Sequence, residues 1–169
     1  MASGLAALRI LVIDDNPQMR TIVGTVLSAA GVGQVFYAQN GREGLSALLA
    51  CQPDVTFVDY EMPQMNGLDF ISGVRALDSD LRMTALIMLT GHSDGRRLGA
   101  ARDRGVNEFL AKPVAARTIL GRLQSVILHA RPFILTGRYF GPDRRRRSAV
   151  DYAGPRRRAG DRLGETLEI

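Results

Sequence analysis

The sequence predicts an α/β protein in which a parallel five-stranded sheet is covered by helices on both faces. Five short apolar runs alternate along the 169-residue chain with segments whose apolar residues recur at the helical period. Each run is almost continuously apolar, which is typical of strands that are buried on both faces. Capping and turn residues separate the two kinds of segment, so the pattern indicates repeated strand–helix units and a parallel sheet.

Each predicted strand is short and is followed by a predicted helix. The strand predictions cover residues 9–14, 35–38, 55–59, 84–90 and 106–111. Asn16, Asn40 and Asp94 have side chains that can cap the first, second and fourth helices. The first helix is predicted to end before Gly31 and the second before Pro53, and the other three to cover about residues 67–76, 94–104 and 114–130.

Right-handed crossovers leave few arrangements for five parallel strands. The doubly wound, flavodoxin-like order 2-1-3-4-5 places the first and third strands side by side, and ligands of such sheets bind beyond the carboxyl ends of the strands. This order brings Asp14, Asp15 and Asp59 together from distant parts of the chain. Thr90 and Lys112 arrive at the same edge from the fourth and fifth strands. We therefore expect the functional site at this edge.

The residue types at this edge favour phosphoryl chemistry. Three neighbouring carboxylates repel one another unless a cation neutralises them, and an all-oxygen set favours Mg²⁺, which pairs readily with phosphate. Lys112 is the only lysine among the 22 basic residues, and it supplies an ammonium beside the Thr90 hydroxyl. A metal ion, an ammonium and a hydroxyl together suit a phosphoryl group. Asp59 is the expected nucleophile, and its product is an aspartyl phosphate.

Four segments contain the residues of the expected site. They read Ile-Asp-Asp-Asn at 13–16, Asp-Tyr-Glu-Met-Pro-Gln-Met-Asn-Gly at 59–67, Thr-Gly at 90–91 and Phe-Leu-Ala-Lys-Pro at 109–113. As a set they closely resemble the receiver domain of two-component response regulators, and the resemblance extends over about residues 8–130. The resemblance implies that Asp59 accepts a phosphoryl group from a phosphohistidine on a sensor histidine kinase or a phosphotransfer protein. It implies no enzyme activity beyond self-phosphorylation and autodephosphorylation.

The same resemblance implies roles for the other site residues. Mg²⁺ would be bound directly by Asp15 and Asp59, through water by Asp14, and by the backbone carbonyl of Glu61. Lys112 would contact the phosphoryl oxygens, and the X-Pro bond that follows it is often cis in such domains.

A conformational switch is also implied by the resemblance. The phosphoryl group would draw Thr90 inward, and Phe109 would rotate into the vacated space and change a protein-binding surface made by the fourth helix, fifth strand and fifth helix. Family members most often have Tyr at this place, so we expect the energetic bias of the switch to differ here. Glu61 and His92, each two residues beyond a key residue, would line the path of the hydrolytic water and influence the phosphoryl lifetime.

A Mg²⁺-dependent phosphohydrolase is a rival interpretation of the same residues. Asp59 would again be the nucleophile, and Glu61 stands two residues later, where that enzyme class usually has a second acid. The chain has no segment that would form a substrate cap. The Asp pair of the first strand, together with Thr90 and Lys112, fits the receiver better.

The C-terminal extension differs in composition from the rest of the chain. Residues 131–169 contain 10 arginines and 5 acids, so they supply the whole net charge of +5. We expect a receiver domain at residues 1–130 and a basic, largely irregular extension at 131–169 without its own core. The apolar groups at 133–135 and 139–140 can anchor it on the receiver or on another subunit.

Three roles stay open for this extension. It can be a solvated tail, a protein-recognition segment that includes self-association, or an arginine patch that binds nucleic acid. Helix-turn-helix or zinc-finger spacing is absent, which argues against a conventional DNA-binding output. A homo-oligomer is expected to form, if at all, through the switch surface or the extension, and the downstream protein partner is not specified by the sequence.

The sequence also bears on the cellular location. A single cysteine, Cys51, fits a reducing compartment, and no apolar run approaches the roughly 18 residues that a membrane span needs. The first apolar run is short and follows no basic region, so no signal peptide is expected. We expect a cytoplasmic protein that does not bind membranes.

Overall fold

The computed structural model describes residues 2–91, 95–137, 139–144 and 165–167. Its main sheet has five parallel strands in the order β2-β1-β3-β4-β5, which confirms the predicted topology. The strands are β1 (Arg9–Ile13), β2 (Gln34–Ala38), β3 (Val55–Asp59), β4 (Ala85–Thr90) and β5 (Glu108–Ala111). The helices that follow them are α1 (Pro17–Ala29), α2 (Gly41–Cys51), α3 (Gly67–Arg75), α4 (Gly95–Asp103) and α5 (Ala116–Leu128).

Side chains of asparagine begin the first three helices. Asn16 accepts hydrogen bonds from the backbone of Gln18 and Met19, and Asn40 accepts one from Glu43. Asn66, which was not among the predicted caps, begins α3 in the same way. These caps satisfy backbone N–H groups that the first helical turn leaves unpaired. The predicted cap of α4, Asp94, lies outside the described residues.

The two faces of the sheet bury two separate apolar clusters. Alternate residues of β1 point to opposite faces, so Leu11 and Ile13 join a cluster under α2 and α3, whereas Ile10 and Val12 join one under α1 and α5. All five residues of β3 are buried. The central strand is thus covered on both sides, as its continuous apolar run predicts.

Two short helical elements were not predicted. A one-turn helix covers Ala2–Leu5, and a 3-10 turn covers Asp80–Met83 before β4. In the part of the chain that the structure describes, no helix is both long and apolar enough to cross a membrane.

Strand β5 begins at Glu108, two residues later than predicted. The reason lies in Asn107, whose side-chain Oδ1 accepts the hydrogen bond from the backbone N–H of Leu86 at 2.9 Å. The backbone N–H of Asn107 donates to the carbonyl of Leu86. The Asn107 side chain therefore replaces a backbone carbonyl as the acceptor from β4. Regular backbone pairing between β4 and β5 starts only at Glu108.

The beginning of the C-terminal extension forms an antiparallel hairpin. Its strands are β6 (Phe133–Thr136) and β7 (Tyr139–Pro142), and a third strand, β8 (Glu165–Leu167), pairs with the other edge of β6. The rings of Phe133 and Phe140 lie 5.4 Å apart between their centroids. Composition alone did not reveal this element, because four-residue strands leave little periodicity to detect.

The hairpin packs against the loop that joins α4 to β5. Gly141 lies so close to Gly105 that a Cβ atom on Gly141 would stand 2.7 Å from the Gly105 Cα. Phe133 is only 3% exposed. The guanidinium of Arg82 lies 4.3 Å from the centroid of the Phe140 ring, which adds a cation–π contact. The hairpin thus shares a packed interface with the five-stranded domain.

Arg75, the last residue of α3, lies at the centre of this interface. Its Nε and Nη2 donate to the carbonyl of Gly105 at 3.0 and 2.8 Å, and its Nη1 donates to the carbonyl of Thr84 at 2.9 Å. Nη1 also donates to the Arg82 carbonyl, and Nη2 to Asn107 Oδ1. The guanidinium lies 5.0 Å from the Phe133 ring centroid. Burial lowers the pKa of Arg75 to about 9.

Candidate functional site

Three carboxylates meet at the carboxyl end of the sheet, as the strand order predicts. Asp14 and Asp15 follow β1, and Asp59 is the last residue of β3. A carboxylate oxygen of each lies within 4.8 Å of one from the other two. Asp14 is fully buried and Asp59 is 5% exposed, whereas Asp15 faces solvent. The cluster is therefore a half-open acidic pocket rather than a surface patch.

Lys112 joins two of these carboxylates. Its Nζ lies 3.0 Å from Asp14 Oδ2 and 3.0 Å from Asp59 Oδ1. The peptide bond from Lys112 to Pro113 is cis. Because Lys112 immediately follows β5, the ammonium reaches the pocket from the far edge of the same sheet end.

Backbone contacts hold the acidic pocket in place. The N–H of Asn16 donates to Asp14 Oδ1 at 2.9 Å, and Arg20 Nη1 donates to the Asp14 carbonyl at 2.7 Å. Gly67, the first residue of α3, packs directly on the end of β3, since a Cβ atom there would lie 2.3 Å from the carbonyl oxygen of Asp59. Only glycine permits this approach, so α3 begins against the residue that bears the carboxylate.

The electrostatics of the pocket are dominated by burial. Desolvation, and then the charge of Asp14, raise the pKa of Asp59 to about 6, although the hydrogen bond from Lys112 opposes the rise. Burial lowers the pKa of Lys112, but the hydrogen bonds to Asp14 and Asp59, together with the negative charges of these two carboxylates, raise it above its ordinary value. Removal of the Lys112 ammonium would therefore leave the Asp14 and Asp59 carboxylates to repel each other strongly.

We expect Asp59→Asn to raise the free energy of unfolding of the metal-free protein in a pH-dependent way, because Asp59 is charged in a buried place. The native pKa is raised from 3.8 to about 6, so this carboxyl contributes stability below its unfolded pKa and loses the contribution as pH rises through about 6. Asparagine avoids the buried charge. At about pH 7.5 the variant should be more stable by about 1–3 kcal/mol.

Urea denaturation in EDTA measures this difference. The gain should fade towards about pH 4, where both proteins carry a neutral side chain at position 59. An equal difference at both pH values would show that the effect comes from packing instead of charge.

Comparison with known proteins identifies the family. The profile of the response regulator receiver domain matches residues 10–124. This range contains the three aspartates of the pocket and Lys112. The chain belongs to the response regulator receiver domain family. Receiver domains are signalling modules that typically bind Mg²⁺ at an acidic pocket, and phosphorylation is typical of them.

Several relatives share the receiver fold and sequence. Chemotaxis protein CheY1 of Helicobacter pylori is 33% identical over 121 residues, which cover 71% of this chain and 97% of that protein. The structure of the chemotaxis response regulator CheY4 of Vibrio cholerae has a TM-score of 0.67 at 32% identity, and the match covers 71% of this chain and 98% of CheY4. A protein-glutamate methylesterase/protein-glutamine glutaminase of Haloarcula marismortui is 35% identical over 115 residues, but these are only 29% of that larger protein.

The donor set of the receiver pocket fits the metal that is typical of the family. The available ligand atoms of Asp14, Asp15 and Asp59 are all carboxylate oxygens, and oxygen ligands are what Mg²⁺ prefers. The exposed Asp15 leaves one side of the pocket open to water, which Mg²⁺ commonly keeps among its ligands. The residues present therefore suit Mg²⁺, and soft-metal ligands are absent from this group.

Thr90 and Phe109, the predicted switch pair, lie on adjacent strands of the receiver. Thr90 ends β4 and is 3% exposed, and its carbonyl accepts a hydrogen bond from the Lys112 N–H at 2.8 Å. Phe109 stands opposite Met88 in the β4–β5 pairing. Its ring is half-buried and packs against the apolar cluster under α2 and α3.

Arg97 is a neighbour of the site that was not predicted from the sequence. Its Nη1 donates to Glu61 Oε1 at 2.6 Å, and its guanidinium lies 5.3 Å from the centroid of the Tyr60 ring. The pair joins the loop after β3 to the first turn of α4. No sequence signal distinguishes Arg97 from the adjacent Arg96, since the helix phase there is weakly defined. His92, the other predicted lifetime residue, lies outside the described residues.

Proposed function

We propose that this receiver is a phosphorylation-dependent switch in which Asp59 accepts a phosphoryl group. The observation that carries the proposal is the Lys112 ammonium 3.0 Å from both Asp14 and Asp59, beside three clustered carboxylates. A phosphohistidine on a sensor histidine kinase or phosphotransfer protein is the proposed donor. In the transfer, an Asp59 oxygen forms the new P–O bond, the P–N bond of the donor breaks, and the donor imidazole keeps its electron pair.

The pocket residues have distinct roles in this proposal. Asp14, Asp15, Asp59 and the Glu61 backbone carbonyl would hold Mg²⁺, which when bound neutralises the carboxylates and the charge on the phosphoryl oxygens. Lys112 offers a flexible point charge to a phosphoryl oxygen without leaving the pocket. Burial of Asp59 limits access of bulk water to its carboxyl. The protein would thereby be modified rather than act as a catalyst on other molecules.

Phosphorylation would be transmitted through Thr90 and Phe109. Thr90 lies at the end of β4 next to the Lys112 backbone, and in this proposal its hydroxyl would bind a phosphoryl oxygen. A shift of Thr90 would let the half-buried Phe109 ring turn inward and would change the surface formed by α4, β5 and α5. A downstream protein, or a second copy of this chain, would read that surface. Glu61, which is paired with Arg97, would line the path of the hydrolytic water and would thereby influence the phosphoryl lifetime.

The rival phosphohydrolase is supported by one feature, the acid two residues after Asp59. In the structure the Glu61 carboxylate contacts Arg97 at 2.6 Å and is 61% exposed. A general acid must carry a proton for the leaving group, whereas this exposed carboxylate accepts a hydrogen bond from a guanidinium. This arrangement favours the switch over the hydrolase.

Nucleic-acid binding by the extension is less well supported. Arg131 and Arg144 both make contacts within the domain, Arg131 with the Asp143 and Asn107 carbonyls and Arg144 with Asp103.

The proposed phosphoryl donor also bears on the cellular location. Because a sensor kinase or phosphotransfer protein would present its phosphohistidine in the cytoplasm, this protein would act there.

Incubation with Mg²⁺ and a small phosphodonor tests the proposal. Intact-mass spectrometry should show one phosphoryl group per chain, stable to acid and labile to base. EDTA or Asp59→Asn should abolish it, and Arg42→Met, which changes an exposed arginine on α2, should leave it unchanged. Rapid release of inorganic phosphate over many turnovers, without a trapped adduct, would instead support the hydrolase.

A further inference from the structure

A cavity of about 350 Å³ lies beside the hairpin, separate from the acidic pocket. Residues 106–109 line it where the chain enters β5, Arg102 lines it from the last turn of α4, and Arg131 and Arg144 line it from the segments that flank the hairpin. Lys112 and the three pocket aspartates do not line it. Its volume is in the range of small-molecule sites.

Positive charge dominates the cavity. Arg102 is exposed and its side chain makes no hydrogen bond or ion pair with a described residue. Arg131 donates Nη1 to the Asp143 carbonyl at 3.1 Å and Nη2 to the Asn107 carbonyl. Both acceptors are neutral carbonyls, and they hold this guanidinium in place.

The acids near the cavity do not cancel this charge. Glu108 is the one acid in the lining, and it already contacts Arg122 at 3.3 Å and Ser125 at 3.4 Å. Arg144 is paired with Asp103 at 2.8 Å, and its guanidinium lies 3.9 Å from the Tyr139 ring centroid. Counting the three lining arginines against Glu108 leaves an excess of two positive charges in the lining.

We propose that this cavity binds a small phosphate-bearing molecule. A planar guanidinium can donate two parallel hydrogen bonds to two oxygens of one phosphate group. Because Arg131 and Arg144 are already held in place, less side-chain entropy is lost when such a ligand binds. Phe109 and Val106 give the cavity an apolar wall for the body of such a ligand. A ligand here would contact the same ring that the proposed switch moves, but its binding does not depend on phosphorylation of Asp59.

Pyrophosphate is the probe for this site. It would be titrated by calorimetry into the full chain in EDTA, so that no magnesium ion brings the probe to the acidic pocket. Saturable one-to-one binding is expected. Arg102→Gln should weaken it about tenfold, because this exposed side chain lacks partners among the described residues and can be changed without disturbing the fold. Arg131→Gln should weaken it further.

Matched controls separate this site from other arginines. Arg42→Gln, on the exposed face of α2, should not change pyrophosphate affinity. Asp59→Asn should not change it either, so failure of the proposed function would leave this result intact. Binding that does not saturate, or that Arg102→Gln and Arg42→Gln weaken equally, would overturn the proposal and indicate general attraction to arginines. Equal affinity for citrate would overturn the assignment to phosphate.

Discussion

Replacement of Arg75 by methionine is expected to lower the free energy of unfolding by about 3–5 kcal/mol. Arg75 is 8% exposed, and its guanidinium donates hydrogen bonds to three backbone carbonyls and to Asn107. Methionine retains much of the apolar volume but leaves these acceptors without donors in a buried place. Among the described residues no carboxylate pairs with Arg75, so the loss comes from hydrogen bonds and from the ring contact with Phe133.

Urea denaturation followed by circular dichroism measures this effect. Arg42→Met provides the matched control, since its side chain is exposed, and its cost should stay within about 0.5 kcal/mol. A double-mutant cycle with Phe133→Ala tests the ring contact, because the two changes should not be additive. A loss for Arg75→Met no larger than that for Arg42→Met would contradict the buried network.

The hydrogen bonds of Arg75 and its contact with the Phe133 ring, here called the Arg75 network, indicate where the folded domain ends. The expected boundary at residue 130 would exclude Phe133, yet that ring is buried against Arg75. We propose that the receiver of this chain includes the hairpin through about residue 144. Truncation after Ala130 would then expose the Arg75 network, and so would be a poor way to isolate the domain.

Replacement of Lys112 by methionine is expected to slow phosphorylation from a small donor by about 100-fold. The ammonium lies 3.0 Å from Asp59 Oδ1, so it would stand beside the negatively charged phosphoryl oxygens as the new P–O bond forms. Lys112→Arg should retain part of the rate, because it keeps the charge but replaces a point charge with a planar fork. The rate would be followed by intact-mass spectrometry at a fixed donor concentration.

Magnesium affinity distinguishes a chemical role of Lys112 from a collapsed site. Removal of a cation beside three carboxylates should leave Mg²⁺ affinity unchanged or higher. Loss of both affinity and phosphorylation would show that Lys112 holds the pocket together structurally. An unchanged phosphorylation rate would remove Lys112 from the proposed chemistry.

The sequence predicts the sheet order and the place of the acidic pocket because both depend on local patterns. Continuous apolar runs mark buried strands, and the carboxyl ends of parallel strands share one edge, so the sequence alone places Asp14, Asp59 and Lys112 together. The roles of these residues in phosphoryl transfer remain predictions.

Features that depend on tertiary contacts were not predictable. Arg75 occupies the last turn of α3, where a cation is ordinarily an exposed partner of the helix dipole, and nothing in the sequence indicates that it is buried. Asn107 delays β5 by a side-chain hydrogen bond to Leu86, which only the folded sheet defines. The hairpin itself depends on Gly105 and Gly141 meeting from distant positions in the chain.

Borohydride reduction of the phosphorylated protein tests the central claim most directly. The reagent reduces an acyl phosphate to an alcohol, so an aspartyl phosphate becomes homoserine, which peptide mass spectrometry locates. We expect homoserine at position 59 only, dependent on Mg²⁺ and the phosphodonor, and absent from Asp59→Asn. Homoserine at Asp14 or Asp15, or an adduct that borohydride does not reduce, would contradict the assignment of Asp59 as the phosphoacceptor.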